Sequence, residues 1–505
     1  MQKISDTRAK RAKLNIVVSL GCQIIVLICG LVIPRSMIGS FGSEAYGATA
    51  SISQFLAYIT LLEGGIGGVA RAALYKPLAE NNILVISEII GEIKRFFRIV
   101  GYIFVVYVLI LACGFQKISN VECFDWFSTF ALVIVISIST FAQYFVGISY
   151  SVLLQAAQRT YITSIINIAT TILNTILILL LIAVGSNLII VKLVSSCVFV
   201  LRPVLMWMYV RKSYRLTKCD GKGKNYLSQK WDGLGQHVAY FLYSNTDIAV
   251  LTVLVDLRTV AVYSVYYMVV SQIENFTTSF STGMEALFGD MLAKNEIKIL
   301  HRTFGYYETL LSMITTVLFS VTAVLIIPFV KLYTSGITDT DYIAPLFSVL
   351  LIAASAVSCL RKPYHNIIIA AGHFRQTQIA AYGEVVINII LSVLLVMRFG
   401  LIGVAIGTLT ATLFRMIYYA DYLTKNIFNR KISLFIRRES VNIVICIAIY
   451  ALGSLIRASW NFSGYIMWAL CGAIVTAMAI VITVVGNAVF YKDDLRQIMG
   501  RGIRK

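Results

Sequence analysis

Among the carboxylates inside or at the ends of long apolar stretches of this 505-residue chain are Glu63, Asp247 and Glu274. An ionised side chain in the middle of a bilayer costs about 2.5–3.5 kcal/mol on insertion scales. An acid kept there titrates, holds a cation or pairs with a base. The basic side chains within or beside such stretches include Arg35, Arg71, Arg202, Arg361, Lys362 and Arg415. Such groups suit anions, arginine by pairing two phosphate oxygens at once. The chemistry on offer is ion binding and release rather than bond making. The sequence has no nucleotide-binding glycine loop and no triad spacing, so ATP-driven transport and membrane-embedded hydrolysis lack residues to carry them, and an enzyme is not expected. His237, His301, His365 and His373 show no metal-ligand spacing, and the nine cysteines are scattered without a CxxC pair. No metal or cofactor is expected beyond coupling to H+ or Na+.

The charged groups belong to polar stripes. Ser271, Glu274, Asn275, Thr278, Ser281, Thr282 and Glu285 recur at three- and four-residue steps, one face of a helix. Small hydroxyls also glue helices together, but two carboxylates and an amide on one stripe predict a water-accessible lumen. Tyr240, Tyr243, Ser244 and Asp247 share a second face. Ser355, Ser358, Lys362, His365 and Asn366 share a third, with Arg361 beside them and Pro363 able to kink the helix. Glu384, Asn388 and Ser392 follow at steps of four, and Ser51, Gln54 and Tyr58 form a further stripe. Glu63 lies nine residues past Gln54, about 180° round an ideal helix. It leaves that stripe unless the glycines that follow it (Gly64, Gly65, Gly67 and Gly68) bend the span. Lys192, near one end of its run, reads as a side chain that snorkels to the interface. Arg202 and Arg415 lie deeper and suit a structural salt bridge or a substrate contact equally.

The elements that must carry these groups follow from composition. Hydrophobic residues make up 58% of the chain, charged residues 13%, and the mean hydropathy is +0.82. This is an all-α polytopic membrane protein. Fourteen apolar runs recur, at 14–38, 46–70, 99–115, 124–154, 160–184, 188–210, 237–255, 260–288, 304–328, 344–371, 379–397, 401–424, 441–456 and 464–490. The net charge of +19 is distributed as the positive-inside rule requires: with a cytoplasmic N-terminus, 34 Lys and Arg fall on the cytoplasmic side and six outside. Both termini are then cytoplasmic, and the basic balance reports orientation rather than a nucleic-acid partner. The first apolar run is too long for a signal peptide core, and Pro34-Arg35 follows it instead of a cleavage site.

The chain also repeats itself. Tyr46 of "EAYGATAS" aligns with Tyr263 of "VAVYSVYY", 217 positions on. Arg159, Asn174 and Gly185 align with Arg375, Asn388 and Gly400 at separations of 216, 214 and 215. This predicts two pseudo-symmetric six-helix lobes, residues 1–210 and 237–424, related by an axis along the membrane normal. A basic, glycine-containing cytoplasmic linker, 211–236, joins them. Residues 425–505 add helices 13 and 14 and a cytoplasmic tail.

Four stretches carry a resemblance to a known family: "IPRSMIGSFGSEAYGATASISQF" at 33–55, "LLEGGIGGVARA" at 61–72, "AAQRTYITSIIN" at 156–167 and "AAGHFRQTQIAAYGEVVINIILSVLLVMRFGLIGVAIGT" at 370–408. With its Gxxx(Y/F)G element, its acid before a glycine-rich span end and its Asn-then-FGLxGxAxxT pattern, the chain resembles the multidrug/oligosaccharidyl-lipid/polysaccharide (MOP) exporter superfamily. Within it, the likeness is to the polysaccharide or O-antigen repeat-unit flippases. The resemblance implies two lobes around a V-shaped cavity that opens alternately to each side of the bacterial cytoplasmic membrane. It implies as substrate an undecaprenyl-pyrophosphate-linked oligosaccharide, with membrane lipids and other polysaccharide-assembly membrane proteins as partners. Under that reading Arg35, Arg71, Arg202, Arg361, Lys362 and Arg415 are the pyrophosphate candidates. Glu63, Asp247 and Glu274 are the ion-coupling candidates, and Gln54, Ser271, Asn275, Thr278 and Asn388 line the cavity. A cation or drug antiporter of the same superfamily and a lipid II flippase are the alternatives. A glycosyltransferase or polymerase is not expected, because the longest outer loop, "FVKLYTSGITDTDYIAP", is too short to carry catalysis.

Overall fold

The protein is described here by a computed structural model, covering residues 2–63, 66–119, 121–214, 216–217, 226, 234–281 and 283–491. It is all-helical, with no strand among the described residues. Most of the linker 211–236, Gly64, Gly65, Thr282 and the C-terminal tail lie outside the described residues, as does the Tyr240 side chain.

The helices in chain order are α1 (Gln2–Phe41), α2 (Ser43–Ala57), α3 (Ile66–Ala79), α4 (Ile83–Ser119), α5 (Trp126–Ala142), α6 (Ile148–Ala156), α7 (Thr160–Ala183), α8 (Leu188–Tyr214) and α9 (Leu234–Leu254). They continue as α10 (Leu257–Ser279), α11 (Met284–Ala293), α12 (Ile297–Tyr333), α13 (Pro345–Leu360), α14 (Lys362–Ala370), α15 (Phe374–Phe399), α16 (Leu401–Asn426), α17 (Ser433–Ala458) and α18 (Tyr465–Phe490). Side-chain caps start several of them. Asn82 Oδ1 accepts from Val85 N at 3.2 Å before α4, Asn187 Oδ1 from Ile190 N at 2.9 Å before α8, and Asp256 Oδ1 from Thr259 N at 2.7 Å before α10.

The apolar runs are helical over nearly all of their described residues, but fewer of them qualify as spans than the fourteen expected. Among the described residues eleven helices are long and apolar enough to cross a membrane. The helical stretches Ser43–Glu63 and Ile66–Ala79, bent by 50°, make a twelfth if they count as one span. The runs at 237–255 and 260–288 fold as α9 and α10 but fall below the apolar threshold. They carry the polar stripes of Asp247 and Glu274, which lower their hydropathy.

The helices group into two units, one of residues 1–241 with 256–261 and one of 242–255 with 262–505. The first has a core of Ile89, Phe97, Phe104, Phe115, Leu153 and Leu154, all within 1% of full burial. The second centres on Phe288, Phe304, Tyr364, Ile367 and Tyr419. Large apolar side chains such as Ile110, Val184, Met397 and Val489 point outward, as a hydrocarbon solvent permits. The repeat markers occupy matching places. Asn174 and Asn388 are both buried in mid-helix, each with a carbonyl oxygen lacking a partner. Gly185 and Gly400 both follow their helices with positive φ, 76° and 53°.

Candidate functional site

In the second unit the α15–α16 hairpin is the scaffold. Its glycines set the spacing: a Cβ at Gly407 would stand 2.4 Å from Ser392 Oγ and 2.9 Å from Ser392 N. That approach seats Thr408 between Asn388 and Asp247. Asp247, on α9, is 6% exposed. Its carboxylate accepts from Tyr263 Oη at 3.0 Å and lies 3.0 and 3.1 Å from Thr408 Oγ1, which also accepts from Asn388 Nδ2 at 3.0 Å. No basic residue pairs with Asp247 among the described residues. A buried carboxylate without a counter-charge needs a proton or a cation. Two further buried oxygens on α15, Asn388 Oδ1 and Ser392 Oγ, have no hydrogen-bond partner. The donor set is all oxygen, which fits H+ or Na+ and not a soft metal.

Two turns further along α16 the balance is reversed. Glu384, fully buried on α15, accepts from Arg361 Nη1 and, at 2.5 Å, from Arg415 Nη1. Arg415 also donates to Tyr419 Oη at 2.8 and 3.0 Å, and the His365 ring stacks on Tyr419. Arg361 stands at the break between α13 and α14, where Pro363 interrupts the helix. Arg361 and Arg415 are thus committed to one acid. Lys362 is half-buried with no hydrogen bond or ion pair among the described residues. Glu274 accepts from Ser358 Oγ at 3.0 Å, and on its stripe Ser271 and Thr278 are half-buried and Asn275 is exposed.

In the first unit three stripes meet at two adjoining cavities. One, of about 380 Å³, is lined by Thr60, Glu63, Ser139, Thr140, Gln143, Tyr144, Ile148, Phe199 and Arg202. The other, of about 370 Å³, shares Thr60, Ser139, Thr140 and Phe199 and adds Ser53, Lys192, Ser195 and Ser196 among others. Glu63 is absent from the Ser51–Gln54–Tyr58 stripe, as its angle predicts, and lines up instead with Ser53 and Thr60. It accepts from Tyr144 Oη at 2.5 Å. Tyr144 lies in a π-helical turn, Gln143–Gly147, joining α5 to α6; such a turn inserts a residue and re-aims the side chains after it. Arg202 donates from Nε to Thr170 and from Nη2 to Thr171, both at 2.9 Å, with its guanidinium 4.2 Å over the Phe199 ring. Arg71 donates to Gln155 at 3.0 Å rather than to Glu63. Arg35 and Gln54 are half-buried. Lys192, which the sequence assigns to the interface, lines the second cavity. Sequence reasoning met Thr408 only as the last residue of the FGLxGxAxxT pattern and passed over the Ser139–Thr140–Gln143 stripe. Lone hydroxyls in apolar helices read as packing, and a π turn is invisible to a 3.6-residue period.

Solved transporter structures share this fold. Lipid II flippase MurJ in an inward closed conformation superposes with a TM-score of 0.69 at 15% identity, over 95% of this chain and 99% of that one. An inward-facing multidrug resistance MATE family transporter of the MOP superfamily gives 0.57 at 13%, over 81% and 99%. A eukaryotic MATE transporter gives 0.55 at 13%, over 83% and 97%. No protein-family model and no curated protein sequence matches the chain.

Proposed function

We propose that this chain is a flippase that moves an undecaprenyl-pyrophosphate-linked polysaccharide repeat unit across the bacterial cytoplasmic membrane by alternating access. The observation that carries the reading is the extent of the likeness. The flippase covers 95% of the chain and the MATE structures 81–83%, and the difference is about the length of the α17–α18 pair. Asp247 is the coupling group in this reading. Loading it with H+ or Na+ removes an unpaired buried charge, and that change in charge biases the transporter between its two states. The Glu384 triad, one carboxylate between two guanidinium groups, holds the α13–α14 break against α15 and α16. Both termini and the 211–236 linker face the cytoplasm.

A second reading, a cation or drug antiporter, draws on Asp247 and Glu63, two carboxylates without a basic partner at ion-pair distance among the described residues. A lipid II flippase would use the same pyrophosphate chemistry on a different sugar. Deleting the gene and scoring surface glycan, peptidoglycan synthesis and drug sensitivity separates the three. The flippase proposed here predicts lost surface glycan with unchanged drug sensitivity, restored by the intact chain. Increased drug sensitivity with normal glycan would favour the antiporter.

A further inference from the structure

The internal repeat relates two arginines whose surroundings differ in charge. Arg202 on α8 and Arg415 on α16 are 213 positions apart, and each reaches back to the preceding helix. Arg415 finds Glu384; Arg202 finds Thr170. Thr170 and Glu384 are 214 positions apart, the separation of Asn174 and Asn388, so they are the same site in the two repeats. Where the second unit supplies a carboxylate, the first supplies a hydroxyl, seconded by Thr171. The two hydroxyls fix the plane of the guanidinium without neutralising it, and Nη1 forms no hydrogen bond among the described residues. Ten residues earlier, about 15 Å up the helix, Lys192 enters the adjoining chamber. Ser195, Ser196 and Phe199 lie between them at three- and four-residue steps on the same face. Lys192 has no hydrogen bond or ion pair among the described residues, and no acid lines its chamber. The nearest cavity acid, Glu63, is turned to Tyr144 and forms no ion pair with Arg202. Two cations in a low-dielectric cavity, neither of them paired to an acid among the described residues, are stabilised by an anion that brings its own charge.

We infer that this twin cavity binds the phosphate oxygens of a membrane-embedded phosphate or diphosphate ester. Lys192 and Arg202 are its charge partners, and Ser139, Thr140, Ser195 and Ser196 its hydroxyl donors. The assignment rests on the flippase reading only for the identity of the ester, not for the anion.

The test uses the unmodified full chain in neutral detergent. Lys192 acetylation by an amine-reactive reagent is followed by peptide mass spectrometry, with farnesyl diphosphate, phosphatidylglycerol or farnesol added. Farnesyl diphosphate should slow Lys192 acetylation about tenfold and farnesol should not. Arg202→Gln should raise the concentration needed about tenfold, as loss of one charge-assisted contact does, and Arg202→Lys less. Protection by phosphatidylglycerol at equal concentration would keep the site and assign it to a bilayer headgroup. An unchanged Lys192 rate at saturating diphosphate and phosphatidylglycerol, or equal protection by farnesol, would overturn the inference. Should Arg202→Gln not fold, the rates on the unmodified chain still decide. Protection of Lys192 with normal surface glycan in Lys192→Gln cells would count against the flippase and leave the site standing.

Discussion

Asp247 and Glu384 are both buried carboxylates within one unit, yet their neighbours give them opposite tasks. Glu384 lies between Arg361 and Arg415, so removing its charge strands two buried guanidinium groups. Glu384→Gln should destabilise the protein by about 3–5 kcal/mol, the range for breaking a buried pair from one side. Thermal unfolding in detergent reads this directly, and an unchanged melting temperature would mean that water reaches the triad. Among the described residues Asp247 bonds only to hydroxyl and amide neighbours, which Asn can also satisfy. Asp247→Asn should keep yield and melting temperature while glycan export fails. Full complementation by both Asp247→Asn and Glu274→Gln would leave packing as their role. An acid in an apolar run costs free energy wherever it sits, and that made Asp247 and Glu63 legible as candidates from the sequence. Which base meets which acid was not legible, because α13, α15 and α16 are brought together only by packing. Lys192 was misread for the same reason: its run places it near an end, and only the α8 face shows what it lines.

Helix patterns were the most readable level, since apolar runs of this length have few alternatives in a bilayer. Their close approaches depend on single glycines. A Cβ at Gly47, the glycine of "EAYGATAS", would stand 1.8 Å from the carbonyl oxygen of Leu257, a backbone atom that cannot rotate away. Gly47→Ala should therefore cost at least the ~1–3 kcal/mol of an overpacked core, seen as reduced monodisperse yield. Wild-type yield and melting would show that the contact yields freely. Gly407 marks the corresponding constraint beside Asp247, and the motif containing it was visible, although Thr408 one residue on was not singled out. The π turn at Gln143–Gly147 shifts the face of α6 relative to α5 by one residue, a shift that no periodicity argument anticipates. Ser139 and Thr140, which precede it, stayed hidden because lone hydroxyls in an apolar helix read as packing.

At the scale of the molecule, the charge asymmetry and the repeat are readable in the sequence, and eleven or twelve of the fourteen expected spans pass by length and composition among the described residues. α9 and α10 carry enough polar side chains to fall below a hydropathy threshold while remaining helical. The proposed topology makes the 211–236 linker cytoplasmic. A cysteine introduced as Asp220→Cys into a cysteine-free chain should react with an impermeant maleimide only in inverted vesicles or opened cells. Reaction in intact cells would reverse the orientation. Flipping itself is the most direct observable. Purified protein is reconstituted with a fluorescent undecaprenyl-pyrophosphate oligosaccharide, and the outer-leaflet pool is scored with a glycan-cleaving enzyme. Under an H+ or Na+ gradient, vesicles with the wild-type chain should equilibrate the lipid across both leaflets, and vesicles with Asp247→Asn should not. Wild-type vesicles no faster than protein-free ones, while the same protein exchanges a cationic drug for H+ or Na+, would contradict a flippase and make this chain an antiporter.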